Sequence, residues 1–229
     1  MTGWRVERAT GSAAAFHARP LGGPGRAERV VRVHEVDRPA LVLGSTQPEA
    51  DVDIGAVRAA GVELVRRRSG GGAVLLDPGA SLWVDVDLPA GDPLWRADVG
   101  EAFLWLGQAW ATAFTDLGMV AAVHRGPLVT TRWSRLVCFA GLGSGEVTVG
   151  GRKVVGLAQR RTREAVRFQC AMLRRWDPER LLDLLAGGGA LAGAGAGKRE
   201  AVADLGAVAS GVDRPGGQVI GALLAALPD

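Results

Sequence analysis

The sequence predicts one α+β domain, in which a mixed, largely antiparallel central sheet is flanked by helices. Short Val- and Leu-rich runs, punctuated by Gly, Pro and Asp, recur as far as Leu173 and read as strands. A Gly-Gly pair at 150–151 joins two of them, because both residues of a two-residue turn need positive φ. A single long amphipathic segment interrupts the run, so the regular strand and helix alternation of a doubly wound nucleotide-binding sheet is missing. At 229 residues the chain fits one core. It divides into a core over 29–186, a Gly/Ala-rich connection over 187–198 and a helical tail over 199–229.

Arg29 to Val36 and Ala40 to Gly44 are expected strands, joined as a hairpin by the turn Asp37-Arg38-Pro39. Asp51 to Ala60 has acidic residues in its first turn and Gly61 past its end, the polarity of a short helix. Val62 to Arg66, Ala73 to Leu76 and Ser81 to Leu88 follow as strands, the first two separated by Ser69-Gly70-Gly71-Gly72. From Ala97 to Leu117, Phe103, Leu104, Leu106, Trp110 and Phe114 recur at helical spacing. Glu146 to Val149 and Arg152 to Arg160 form the hairpin, and Glu164 to Leu173 adds a strand. Asp177-Pro178 opens a helix, with Asp as N-cap and Pro at the first helical position. Gly187 to Gly197 reads as a flexible connection, and Gln218 to Ala226 as a last helix.

Composition excludes several classes. With 48% hydrophobic and 22% charged residues and a mean hydropathy of +0.14, the chain is globular. Met1 to Pro20 lacks the apolar stretch of a secretory signal, and no run approaches a membrane span, so the expected location is cytoplasmic, with no membrane partner. Cys138 and Cys170 are too few for a disulfide framework or a zinc cluster and are expected as free thiols. A net charge of +3 with scattered arginines and no tyrosine argues against nucleic acid. His17, His34 and His124 show no metal-ligand spacing; surface or packing roles are expected, and no metal site.

The chemistry concentrates in Val65-Arg66-Arg67-Arg68-Ser69-Gly70-Gly71-Gly72-Ala73-Val74, where a cationic strand end runs into three glycines. Glycines let a backbone approach an anion, amides of a nest donate to phosphate oxygens, and arginine supplies a fork of donors. The loop suits a nucleotide or an acyl phosphate; the bland alternative is a turn beside solvated arginines. A P-loop fails, since no Gly-Lys-Ser/Thr follows.

This segment resembles the fingerprint of the lipoate-protein ligase A family, within the biotin and lipoate ligase superfamily: Arg-Arg-x-Ser-Gly-Gly-Gly-Ala-Val followed by His-Asp. Two further blocks resemble the family in the same order, Gly44-Ser45-Thr46-Gln47 before it and Gly151-Arg152-Lys153-Val154-Val155-Gly156-Leu157-Ala158-Gln159-Arg160-Arg161 after it. The resemblance spans about Arg29 to Leu173 and implies that residues 1–229 form one catalytic domain of the class II aminoacyl-tRNA synthetase and biotin synthetase type. The activity it implies is attachment of a lipoyl or octanoyl group to a lysine of an acceptor domain through an acyl-adenylate, with ATP and Mg2+ as co-substrate. The implied acceptors are lipoyl domains of 2-oxoacid dehydrogenase E2 subunits or the glycine cleavage H protein. Lys153 matches the lysine that contacts the acyl carbonyl and the phosphate, and an ammonium there stabilises an oxyanion. Arg67, Gly72, Ala73, Val74 and Leu75 match nucleotide-contacting positions, while Ser69, Gly70 and Gly71 shape the loop. Gly156 and Ala158 leave room for an acyl tunnel, or else simply let two backbones pack closely.

The spacing of Cys138-Phe139, Glu146 and Lys153 also resembles the cysteine-dependent octanoyltransferases of the superfamily. A thiolate near a cation can take an acyl group from octanoyl acyl carrier protein as a thioester and pass it on without ATP or any cofactor. Cys138 is equally readable as a small buried apolar residue. Leu76 stands where the family has histidine, and Gln169-Cys170-Ala171 replaces the His-Gly of the last block. Three readings follow: an ATP-dependent ligase, a thioester-forming octanoyltransferase, and a noncatalytic homologue that binds an acyl group or a protein.

Overall fold

In the computed structural model, residues 3–21, 28–186, 195 and 197–229 are described. Among the described residues ten strands make two sheets. The larger is ordered β1-β2-β6-β10-β9-β8-β7, with β1 at Trp4–Gly11, β2 at Arg29–Val36, β6 at Ser81–Pro89, β7 at Ala121–Val123, β8 at Val147–Val149, β9 at Arg152–Arg161 and β10 at Ala165–Leu173. The smaller is ordered β4-β3-β5, from Glu63–Arg66, Ala40–Leu43 and Val74–Leu76. The expected mixed, largely antiparallel sheet is present.

Two expectations change. Arg29–Val36 and Ala40–Leu43 are strands, but they do not form a hairpin: β2 pairs with β1 and β6, β3 with β4 and β5. The turn between them carries the chain from one sheet to the other, and Asp37 N donates to Gly11 O at 3.0 Å. A three-residue connection fits a hairpin and a corner alike, and only long-range pairing separates them. The segment before Arg29 supplies β1, parallel to β2 along all eight of its residues, and helix α1 at Ala13–Ala18, capped by Ser12. Strand β1 is hard to read because it is an edge strand bearing Arg5, Glu7 and Arg8, the charges that discourage further pairing.

Helix α2 spans Ile54–Ala59 with Asp53 as N-cap, later than the acidic start suggested. Helix α3 spans Leu104–Asp116, preceded by a 3-10 turn at Glu101–Phe103. Helix α4 spans Pro178–Asp183 under the expected Asp177 cap. Two more helices form the tail, α5 at Lys198–Val208 and α6 at Gly216–Ala226. The Gly/Ala-rich connection lies almost wholly outside the described residues. The tail docks: Val219, Ile220 and Leu223 of α6 join Leu106, Trp110 and Phe114 of α3 against Val84, Val86 and Phe168 of the large sheet.

Strand alternation leaves the opposite face of that sheet to the site. Register places His34, Trp83, Ala171 and Gly156 in one row across β2, β6, β10 and β9. The next row holds Arg32, Asp85, Gln169 and Ala158, and the third Val30, Asp87, Arg167 and Arg160. Buried charges on these rows are paired: Arg167 Nε lies 2.8 Å from Asp87, Arg32 bridges Asp87 and Glu7, and Asp85 accepts from Trp83 Nε1 at 2.7 Å and meets His34 at 3.1 Å. Burial pushes the Asp85 carboxyl upward, but the hydrogen bond and charge of His34, with Arg167 beside it, hold it below the usual carboxylate range.

Candidate active site

The three-glycine loop joins β4 to β5 and passes within van der Waals contact of two other segments. A Cβ on Gly44 would fall 1.8 Å from Gly71 O, and one on Gly72 2.4 Å from Val137 N. Only glycine allows either approach. Ala73 N then donates to Leu136 O at 2.8 Å and Cys138 N to Ala73 O at 2.9 Å, so the loop is stitched to the residues that lead into Cys138.

The three arginines before the loop have separate tasks. Arg66 donates to Gly44 O and Gln47 O at 2.9 and 2.6 Å. Buried Arg67 donates to Val42 O, Gly70 O and Gly72 O at 3.2, 2.6 and 2.9 Å. Arg67 thus shapes the loop that sequence reasoning assigned to Ser69, Gly70 and Gly71, although it also borders the cavity below. Arg68 is exposed and has no hydrogen-bond or carboxylate partner among the described residues.

Lys153 is 3% exposed. Its Nζ lies 2.6 Å from Glu146 Oε2, donates to Cys138 O and Gly141 O at 3.1 and 2.9 Å, and sits 5.1 Å from the Phe139 ring centre. Glu146 accepts in turn from Gly143 N at 2.7 Å and Leu157 N at 3.0 Å. The ammonium therefore clamps the 138–141 turn and lies just behind the site: Lys153 Cε would be 3.4 Å from a Cβ on Gly156. Glycine loop and lysine fasten the same segment from two sides.

Between them opens a small, partly enclosed cavity of about 80 Å³. Gly156 and Ala158 form part of its floor, as their size suggested, and Val42, Val74, Leu76 and Trp83 give it an apolar end. Arg67 and Gly70 border it, with Cys138 and Phe139 on another side. Ala73 and Leu75 do not: alternation along β5 turns them into the second core with Val137 and Leu181. Gly71 borders a different hollow beside Gln47 and Arg132. Ser69 is half-buried, and its Oγ has no hydrogen-bond partner among the described residues.

The two thiols differ. Cys138 is partly exposed at the cavity. Cys170 is 1% exposed, and burial pushes its thiol up to about 12. His17, expected in a surface or packing role, is brought to the cavity by α1, which no local pattern announces. Its ring lies 4.5 Å from that of Trp83, and its Nδ1 is 3.5 Å from Gln169 Nε2. Burial lowers its pKa to about 4; Asp85 opposes this, while Arg67, His34 and Arg167 add to it. The site thus holds a neutral imidazole at neutral pH, close to the Leu76 position where the resembling family has its histidine. Among the described residues no group of three or more His, Cys, Asp or Glu could hold a metal, and no helix is long and apolar enough to cross a membrane.

Comparison with known proteins agrees with this architecture. The family model described as the lipoyl protein ligase A/B catalytic domain matches residues 19–213. Octanoyltransferase LipM of Staphylococcus aureus is 30% identical over 166 residues, 70% of this chain and 59% of that protein. Its counterpart from Moorella thermoacetica is 32% identical over 141 residues, 60% of this chain and 50% of that protein. The chain thus spans only half to three-fifths of the length of these relatives. A bi-partite lipoate protein ligase from Thermoplasma acidophilum superimposes with a TM-score of 0.71 at 19% identity, covering 97% of this chain and 81% of the other. Lipoate-protein ligase A bound with ATP gives 0.67 at 21%, covering 97% and 83%. At these identities the two structures establish a shared fold.

Proposed function

Since the chain belongs to the lipoyl protein ligase A/B catalytic domain family, we propose that it moves an octanoyl group from a thioester donor to a lysine of a lipoyl domain, with Cys138 as nucleophile. One observation carries the choice of mechanism: Cys138 is the cavity thiol that is not sealed in the core, while the two cations a ligase would turn on an adenylate are occupied by protein groups. Lys153 is held by Glu146 and two carbonyls, and Arg67 by three carbonyls. The LipM relatives, octanoyltransferases by name, support the same reading.

In the proposed reaction the Cys138 thiolate attacks the donor thioester carbonyl; the new C–S bond forms as the donor C–S bond breaks, and the donor leaves as a thiol after taking a proton. The acceptor amine then attacks the acyl-enzyme, an amide forms, and Cys138 regains its proton. The incoming thioester is already activated, so no ATP is consumed. Lys153 acts on this step as a positioning residue, because its ammonium fixes the Cys138 carbonyl and thus the turn that presents the thiol.

The test incubates the protein with an unmodified lipoyl domain and either octanoyl carrier protein or lipoate with Mg-ATP, and follows acceptor mass. The expected outcome is modification from the carrier without ATP, a trapped octanoyl-enzyme, and loss of both in Cys138→Ser. Modification from lipoate and ATP that survives Cys138→Ser establishes the adenylating ligase instead; no modification from either donor establishes a binding homologue.

A further inference from the structure

The chain reaches Cys138 through a turn whose first residue is tied to the helical tail. Trp133 O accepts from Leu136 N and Val137 N at 2.9 and 2.8 Å, so residues 133–137 close one turn, and Cys138 N follows with its bond to Ala73 O. Where Trp133 sits therefore sets where the thiol emerges. The Trp133 ring is 1% exposed and packs in the second core with Leu136, Val137, and Ala201 and Leu205 of α5. Apolar packing is non-directional, so it holds the ring without aiming it. An indole has a single N–H to give direction, and here Nε1 donates to Asp204 Oδ2 on α5 at 2.8 Å. The same oxygen accepts from Arg132 Nε and Nη2 at 3.0 and 2.6 Å, while the Arg132 guanidinium lies 5.1 Å over the Trp133 ring. The indole hydrogen bond and Arg132 hold the Asp204 carboxyl below the usual carboxylate range. Glu200, one turn earlier on α5, meets Arg132 alone.

We propose that Asp204 is a positioning residue for the Cys138 nucleophile, acting through the Trp133 indole. Its carboxylate touches no residue that lines the cavity, so it neither binds the acyl group nor moves a proton there. What it supplies is direction: the indole is aimed, the turn is aimed with it, and the thiol is presented to the cavity. The helix that carries Asp204 is itself fixed to the site from the other side. Just past α5, Ser210 N donates to Lys153 O at 3.0 Å, and Trp176 Nε1 donates to Leu205 O at 3.2 Å. One tail element thus holds both the strand bearing the Lys153 ammonium, which grips the Cys138 carbonyl, and the turn that delivers Cys138. Asp204 is 40% exposed at its side chain, and an exposed ion pair adds little to stability. Its removal therefore spares the fold while releasing the aim of the turn.

This inference rests on the transferase reading, and the experiment separates the two. Rapid mixing with octanoyl carrier protein follows formation of the octanoyl-enzyme, and titration with free octanoate follows filling of the cavity. Asp204→Ala and Trp133→Phe are each expected to slow acylation about ten-fold or more, since small misplacements of a reacting group are costly, while octanoate binds as in wild type. The double variant should be no slower than the single ones, because all three lack the same contact. Asp204→Asn, whose amide oxygen can still accept from the indole, should recover most of the rate. Glu200→Ala, which removes only a contact to Arg132, should acylate as wild type does. Acylation of Asp204→Ala at the wild-type rate, or an equal loss in Glu200→Ala, overturns the positioning role and leaves the transferase intact. Octanoate binding that weakens in step with the rate overturns it as well, since Asp204 would then support the cavity as a whole. Absence of any octanoyl-enzyme from wild type overturns the transferase and this role with it.

Discussion

Replacing Glu146 by Gln tests whether Lys153 is a buried clamp. Glu146 is 6% and Lys153 3% exposed, so the substitution keeps the volume and leaves an ammonium away from water with two carbonyls for company. Breaking a buried pair from one side costs about 3–5 kcal/mol. Glu146 also accepts two backbone N–H groups. Gln has one oxygen for them, so one donor is orphaned, at about 1–3 kcal/mol that overlaps the first figure. The expected loss of about 3–5 kcal/mol is large beside the roughly 5–15 kcal/mol that holds a domain together. Urea unfolding of wild type, Glu146→Gln, Lys153→Met and the double variant closes a cycle that isolates the pair. A coupling energy of about 2 kcal/mol or more is expected. A coupling below about 0.5 kcal/mol refutes the clamp, and with it the account of how the Cys138 turn is held.

Two other perturbations read the cavity. Gly156→Val puts branched methyl groups where a Cβ already meets Phe139 and Lys153 at 3.5 and 3.4 Å; octanoyl transfer should fall about ten-fold or more while butanoyl transfer falls less, and an unchanged chain-length profile in donor competition removes the floor assignment. His17 has a folded pKa of about 4 against 6.5 in the unfolded chain, so folding favours the neutral ring. That contribution is complete above about pH 6.5 and is lost as pH falls toward 4, up to about 3 kcal/mol. His17→Gln should flatten the loss of stability over that interval, with Asp85, Arg67, His34 and Arg167 still facing the position; identical pH–stability curves for the two proteins would show the ring is not held neutral.

The local elements were legible because they depend on local rules. Asp177-Pro178 caps α4, Gly150-Gly151 turns β8 into β9 with φ of 58° and 76°, and the apolar spacing of α3 marks its buried face. The motif blocks are also brought into contact: Gly44 packs against Gly71, while Gly70 and Gly156 border one cavity with Lys153 behind Gly156. Less visible was which side of each strand faces the site. Along β5 a one-residue step separates cavity from second core, so Val74 faces the site while Ala73 and Leu75 do not.

The sequence by itself determined the α+β class, the strand runs, the glycine loop and the candidate groups, since periodicity, turn chemistry and residue type are properties of neighbours along the chain. Only tertiary structure decided that β2 and β3 belong to different sheets, that His17 reaches the cavity, that Lys153 and Arg67 bond to their own fold, and that Arg68 and Arg160 have no carboxylate partner among the described residues. Each of these depends on a partner distant in sequence, and whether a charge is spent or free is fixed by what folding brings within a few ångströms of it.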